Sequence, residues 1–149
     1  MEHKLNKDEI AYFYELLYKF EHGSRAGYQD DILDAMIGKD VILDDNHQKK
    51  DNISIATENT IHFTPYYNNK CWGILYHVRN AIAHGNIKSV DEDRYFLIQD
   101  FSDRSKRQMR NMYTKIEKDK FYHLINVIEK SRKIPSEGNK MSKSNTDKK

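Results

Sequence analysis

Between Cys71 and Gly85, apolar residues recur at spacings of three and four, the period of one side of an α-helix. His77, Asn80 and His84 fall on a different side, so three polar side chains form a line beside the apolar one. Because glycine often ends a helix in the left-handed conformation, the pattern predicts a core-packed helix that stops at Gly85. The apolar positions are Cys71, Ile74, Leu75, Val78, Ala81 and Ile82.

Helical periods also occur near both ends of the chain. Asn6 and Glu9 have the spacing of a capping box, which predicts a first helix running to Gly23. Acidic and then apolar residues predict a shorter second helix that ends near Gly38, and a last helix is expected to begin near Asp119. The expected core positions are Ile10, Phe13, Tyr14, Leu17 and Phe20 in the first helix and Phe121, Leu124, Ile125 and Ile128 in the last.

Patterns typical of β-strands are fewer. Residues 94–101 (RYFLIQDF) and 109–117 (MRNMYTKIE) are rich in aromatic and β-favouring residues and predict two antiparallel strands. Residues 39–70 contain only short apolar runs, for which a small hairpin and helical structure both remain open. The sequence therefore predicts a mainly α fold, a small helical bundle with a minor antiparallel β element.

Length and composition indicate the number of domains and the cellular compartment of the protein. A chain of 149 residues suits one domain with a hydrophobic core. Residues 134–149 have no apolar pattern and an excess of lysine, so we expect a domain over 1–133 and a disordered basic tail over 134–149. The single cysteine, Cys71, excludes an internal disulfide and is expected to be a buried apolar residue. Without a signal peptide or a membrane-spanning segment, we expect a cytoplasmic protein.

Arg79 and His84 are the candidate chemical groups of the central helix. RNA carries its own nucleophile in the 2′-hydroxyl, so a histidine that moves protons and an arginine that holds the phosphate suffice for cleavage. Arg79 lies five residues before His84, however, which places the two about 140° apart on an ideal helix. His77 could be a second proton-transfer group or a buried structural residue. No grouping of His, Asp and Glu has metal-ligand spacing, so we expect no metal and no cofactor.

Residues 79–84, read RNAIAH, resemble the R-x(4–6)-H motif of the HEPN superfamily (higher eukaryotes and prokaryotes nucleotide-binding domain). The resemblance implies a metal-independent endoribonuclease in which Arg79, Asn80 and His84 are catalytic and two motifs face each other across a homodimer. Such enzymes leave a 2′,3′-cyclic phosphate and a 5′-hydroxyl. Bacterial stand-alone HEPN proteins resembling this chain belong to toxin–antitoxin and phage-defence systems, which makes a cognate antitoxin an expected candidate partner.

A basic cluster follows the first predicted strand. Arg104, Lys106, Arg107 and Arg110 have no acidic residue among them, so they are the predicted RNA-binding residues, with a solvated surface as the alternative.

Two other functions remain open for the whole chain. It could be a non-catalytic HEPN dimer that binds RNA, a nucleotide or an antitoxin, or it could be a purely structural protein.

Overall fold

The computed structural model of the protein describes residues 2–23, 27–47, 52–66, 68–102 and 109–132. Within these residues it contains four helices and six strands. The helices are α1 (Lys7–His22), α2 (Asp30–Ile37), α3 (Lys70–Ala83) and α4 (Lys118–Ser131). The strands are β1 (Glu2–His3), β2 (Ile42–Asp44), β3 (Thr60–Phe63), β4 (Ile87–Val90), β5 (Tyr95–Ser102) and β6 (Met109–Glu117).

All six strands belong to one mixed sheet with the spatial order β1-β4-β5-β6-β3-β2. Neighbouring strands are antiparallel except β2 and β3, which are parallel. The prediction of a mainly α bundle is therefore wrong, because the protein has an α/β fold in which the sheet forms a complete layer. The predicted pair, β5 and β6, is the centre of that layer. The other strands have two to four residues, too short for a clear pattern, and most of them pair with segments distant in sequence.

Helices α1, α3 and α4 pack on one face of the sheet. The Phe96 ring of β5 points to this face and lies 5.1 Å from the Phe13 ring of α1 and 5.6 Å from the Phe121 ring of α4, between centroids. Side chains alternate between faces along a strand, and the opposite face carries half-buried residues such as Gln99 and its cross-strand neighbour Tyr113. The core thus lies between the sheet and the helices, and the outer face of the sheet remains accessible to solvent.

The capping box predicted for α1 is confirmed. Asn6 Oδ1 accepts a hydrogen bond from Glu9 N at 2.8 Å, and Asn6 N donates to Glu9 Oε1 at 3.0 Å. Glu9 is buried, and its other oxygen pairs with Lys118 Nζ at 2.6 Å. Because Lys118 is the first residue of α4, this cap also fixes the start of α1 against α4.

The outward side of α1 differs from the prediction. Ile10 and Tyr14, expected in the core, are 42% and 63% exposed, and Tyr18 is 64% exposed. These three residues follow one another at a spacing of four, so they form an apolar and aromatic stripe on the surface. The core side of α1 is instead formed by Phe13 and Leu16. One helix therefore carries two apolar sides, of which the protein buries only one.

The predicted second helix is confirmed as α2, which ends before Gly38 with its φ of 72°. Residues 39–70 contain β2 and β3, which pair in parallel. The hairpin considered for this region does not form, because Ile53 and Ile55, its expected first arm opposite Ile61 and Phe63, lie outside any strand. None of the helices within the described ranges is long and apolar enough to cross a membrane. The predicted domain boundary after residue 133 and the tail over 134–149 lie outside the described residues.

Candidate active site

Helix α3 is held at its N-terminus by side chains of two other segments. Asn69 Oδ1 accepts a hydrogen bond from Trp72 N at 2.7 Å, and the Asp30 carboxylate of α2 accepts from Lys70 N at 2.7 Å and Cys71 N at 3.1 Å. These acceptors satisfy amide groups that have no partner within the helix. Cys71 is fully buried, as predicted, and burial raises the pKa of its thiol to about 12. Helix α3 is thus fixed in place before it reaches its polar residues.

The C-terminus of α3 ends in the predicted left-handed glycine. Gly85 has a φ of 70°, Gly85 N donates to Ile82 O at 3.2 Å, and Asn86 N donates to Ala81 O at 2.8 Å. These two backbone hydrogen bonds form a Schellman motif, which places His84 at the C-cap of the helix. The His84 side chain is exposed and has no hydrogen-bond or ion-pair partner among the described residues. Its imidazole is therefore accessible to a ligand.

Arg79 is held on both sides by hydrogen bonds. Its Nε donates to Glu21 Oε2 of α1 at 2.6 Å, and its Nη1 donates to Asn80 Oδ1 at 2.9 Å. Asn80 Nδ2 in turn donates to Asp100 Oδ2 of β5 at 3.2 Å. Asn80 therefore positions Arg79, and its only hydrogen bond with His84 is through the backbone, where His84 N donates to Asn80 O at 3.0 Å.

His77 is a buried structural residue, one of the two roles that the sequence left open. Its Nδ1 lies 2.7 Å from Asp100 Oδ2 and its Nε2 lies 2.8 Å from Thr64 O. A carbonyl oxygen only accepts hydrogen bonds, so Nε2 must carry a hydrogen. The His77 and Asp100 side chains are 5% and 3% exposed, which keeps this pair away from a substrate. The pair instead anchors Asn80, and through it Arg79, to the centre of the sheet.

Sequence reasoning missed Glu21 and Asp100. The sequence does indicate the position of Asp100. It lies two residues after Ile98 and four after Phe96, so in a strand its side chain faces the core like theirs. A carboxylate at such a position needs a buried partner. Glu21 has no comparable signal, because an exposed acidic residue near the end of a helix is common.

Aromatic residues surround Arg79. A cleft of about 410 Å³ is lined by Arg79, Glu21 and two stacked aromatic pairs. The rings of Tyr66 and Tyr76 lie 4.0 Å apart at an angle of 6°, and those of Phe20 and Trp72 lie 4.5 Å apart at 15°. The cleft therefore places a guanidinium beside aromatic rings, of which Trp72 is buried and the others are half-buried.

The structure brings Arg79 and Asn80 together, whereas the His84 side chain makes no hydrogen bond or ion pair with either of them. Of the predicted RNA-binding cluster, Arg104, Lys106 and Arg107 lie outside the described residues. Arg110 Nε donates to Gln99 Oε1 at 2.7 Å, and its guanidinium lies 4.3 Å from the centre of the Tyr113 ring. Arg110 thus belongs to the outer face of the sheet, and RNA contact by the cluster stays a prediction.

Comparison with known protein families covers the segment from α1 to α4, with residues 79–84 at its centre. A family model described as HEPN pEK499 p136 matches residues 10–133, and the chain therefore belongs to this family, which confirms the resemblance of its motif. No curated protein and no solved structure matches the chain.

Proposed function

We propose that the protein is a metal-independent endoribonuclease in which His84 transfers protons and Arg79 holds the scissile phosphate. The observation that carries this proposal is an accessible imidazole at the cap of the same helix that presents a positioned guanidinium, within the segment matched to a HEPN family. The 2′-oxygen attacks phosphorus as it loses its proton, and the bond from phosphorus to the 5′-oxygen breaks as that oxygen gains one. The products are a 2′,3′-cyclic phosphate and a 5′-hydroxyl.

The cleft beside Arg79 supports an RNA substrate. Nucleobases stack on aromatic side chains, and each such contact contributes about 1–3 kcal/mol to the binding of single strands. Tyr66 and Tyr76 line the same cleft as the guanidinium and are half-buried, so a phosphate on Arg79 would have aromatic rings for its neighbouring bases. This combination favours single-stranded RNA over a small anion. A toxin or phage-defence role belongs to the same proposal.

The proposed active form is a homodimer. In-line displacement needs a base on one side of phosphorus and an acid on the other, and one chain offers a single exposed imidazole in its motif, with no hydrogen bond to Arg79. A cleft of about 130 Å³ next to Gly85 is lined by Ile82 and by Ile10 and Tyr14 of the exposed α1 stripe. A second copy seated on this surface by twofold symmetry would bring the two His84 residues into one groove.

Tyr14→Lys should convert the protein to a monomer and reduce RNA cleavage, because it places a charge in the centre of the proposed interface. Light scattering at micromolar concentration measures the mass, and the same samples give the cleavage rate. Ile55→Lys is the matched control, since Ile55 is 68% exposed away from this stripe and acquires the same charge. A wild-type monomer with undiminished specific activity on dilution would disprove the dimer.

Glu21→Gln should strengthen RNA binding about two- to fivefold, because the exposed pair with Arg79 stabilises by only about 0–1 kcal/mol and its carboxylate repels a phosphate. The Arg79 and Glu21 side chains are 34% and 41% exposed, so the pair can open without unfolding. Fluorescence anisotropy with labelled RNA measures the affinity. Glu15→Gln is the control, since Glu15 pairs with Lys19 on the same helix and loses the same charge. Equal effects of both variants would show that only the net charge matters and that Arg79 does not receive the phosphate.

A further inference from the structure

We propose that Asp44, His47 and His62 form a zinc-binding site at the edge of the sheet. The two imidazoles converge on one carboxylate oxygen, with His47 Nε2 at 3.0 Å and His62 Nδ1 at 2.7 Å from Asp44 Oδ2. The three atoms lie within 4.8 Å of one another. Two imidazole nitrogens and one carboxylate oxygen are a ligand set that Zn²⁺ uses, commonly with water in a fourth position.

The fold explains how Asp44 and His62, which are 18 positions apart in the sequence, come into contact. The parallel register of β2 and β3 places Asp44 directly beside His62. His47 follows Asp44 in a turn in which Asn46 N donates to Asp44 Oδ1 at 3.2 Å. Spacing along the sequence does not reveal this group, because it depends on a parallel pairing that the sequence did not predict.

The surroundings of the three residues suit a cation. Thr57 Oγ1 lies 2.9 Å from His62 Nε2. In the metal-free protein Nδ1 donates its hydrogen to the Asp44 carboxylate. With a metal bound, Nε2 would donate to Thr57 and the Nδ1 lone pair would face the ion, which is the tautomer that a metal requires.

A metal fits here with small side-chain movements. Tetrahedral ligands at Zn²⁺ distances of about 2.0–2.2 Å lie roughly 3.4 Å from one another. The two contacts to Asp44 would therefore open by about half an ångström, and the two imidazole nitrogens, which lie within 4.8 Å of each other, would move closer together. The His47, His62 and Asp44 side chains are 25%, 17% and 25% exposed, which leaves access for an ion and for a water ligand.

The role of this site is structural. His62 lies between Ile61 and Phe63, whose side chains are buried in the core, so its own side chain belongs to the outer face of the sheet. Arg79 and His84 lie in the helical layer on the other side. A bound ion would fasten the edge strand β2 and its following turn to β3, and it would contribute to stability without taking part in RNA cleavage.

The direct test is metal titration of the full-length protein after removal of metals with EDTA. Co²⁺ should bind one per chain with the visible absorption of a tetrahedral complex, and Zn²⁺ should displace it. Zn²⁺ at a hundred times its dissociation constant should raise the melting temperature by about 5–10 °C, as expected for a ligand specific to the folded state. The RNA cleavage rate, measured well below the melting temperature, should be the same with EDTA and with Zn²⁺.

His47→Ala should remove the Co²⁺ absorption and the Zn²⁺-dependent stabilisation, and His62→Gln should do the same. His3→Ala is the matched control, because His3 Nδ1 also contacts a carboxylate, Asp93 Oδ1 at 3.0 Å, but without a second imidazole. Circular dichroism of the metal-free variants checks that they fold. The proposal would be overturned if the wild type did not bind Co²⁺ or Zn²⁺ at tens of micromolar, or if His47→Ala bound them equally well. The three residues would then be a hydrogen-bonded cluster without a metal.

Discussion

His84→Ala should lower the rate of RNA cleavage by about 10²- to 10⁴-fold, the contribution of a positioned proton-transfer group. The variant should fold normally, because the His84 side chain is exposed and the helix end is fixed by backbone bonds and Gly85. The assay is cleavage of labelled single-stranded RNA in EDTA, with the chemical nature of the product ends determined. His123→Ala, which removes an exposed histidine of α4, should retain full activity.

Arg79→Ala should cost about 10²- to 10³-fold in rate, as the loss of one donor that stabilises a developing oxyanion does in other enzymes. Arg79→Lys should recover only part of it, since an ammonium cannot donate to two phosphate oxygens in the same planar geometry. Products with 3′-hydroxyl ends, or a requirement for Mg²⁺, would exclude attack by the 2′-hydroxyl. RNA that remains intact but bound under all conditions would instead support the non-catalytic binding protein.

Asp100→Ala should reduce the free energy of unfolding by about 3–5 kcal/mol, because it removes one partner of a buried pair and leaves the other without its hydrogen bond. Asp100 is 2% exposed and His77 is 4% exposed, so water does not replace the lost contact. Chemical denaturation monitored by circular dichroism gives the value.

The control for Asp100→Ala is Asp34→Ala, which breaks the exposed ion pair of α2 with Lys70 and should have a far smaller effect. Asp100→Ala should also slow RNA cleavage at temperatures where the variant is folded, because Asn80 loses the acceptor that positions it beside Arg79. A variant as stable as the wild type would show that the buried network does not support the sheet.

The parts of the fold that the sequence predicts correctly are those specified by local patterns. The cap of α1, the glycine end of α3 and the β5–β6 pair each depend on residues close together along the chain. The sheet as a whole depends on pairings such as β3 with β6, between segments about fifty residues apart, and no local pattern encodes them. The exposed side of α1 escapes prediction for a related reason, since the helical period does not distinguish an apolar side that faces the core from one that faces solvent.

The candidate site shows the same division. The motif from Arg79 to His84 is contiguous, so the sequence reveals it and the family match includes it. Its supporting residues come from elsewhere in the chain, Glu21 from α1 and Asp100 from β5, and only the tertiary fold brings them to Arg79. The hydrogen bonds of Asn80 also depend on the tertiary fold, because its side-chain amide accepts from Arg79 and donates to Asp100.

Both edges of the sheet are short. Strand β1 has two residues and β2 has three, so neither edge presents a long row of unpaired amide and carbonyl groups. Association by strand addition, the common route to edge-to-edge aggregation, is therefore disfavoured, because few backbone groups are free to pair at these edges.

Two copies that meet through α1 and α3 would leave the outer face of each sheet uncovered, giving the dimer two broad polar and aromatic surfaces on its far sides.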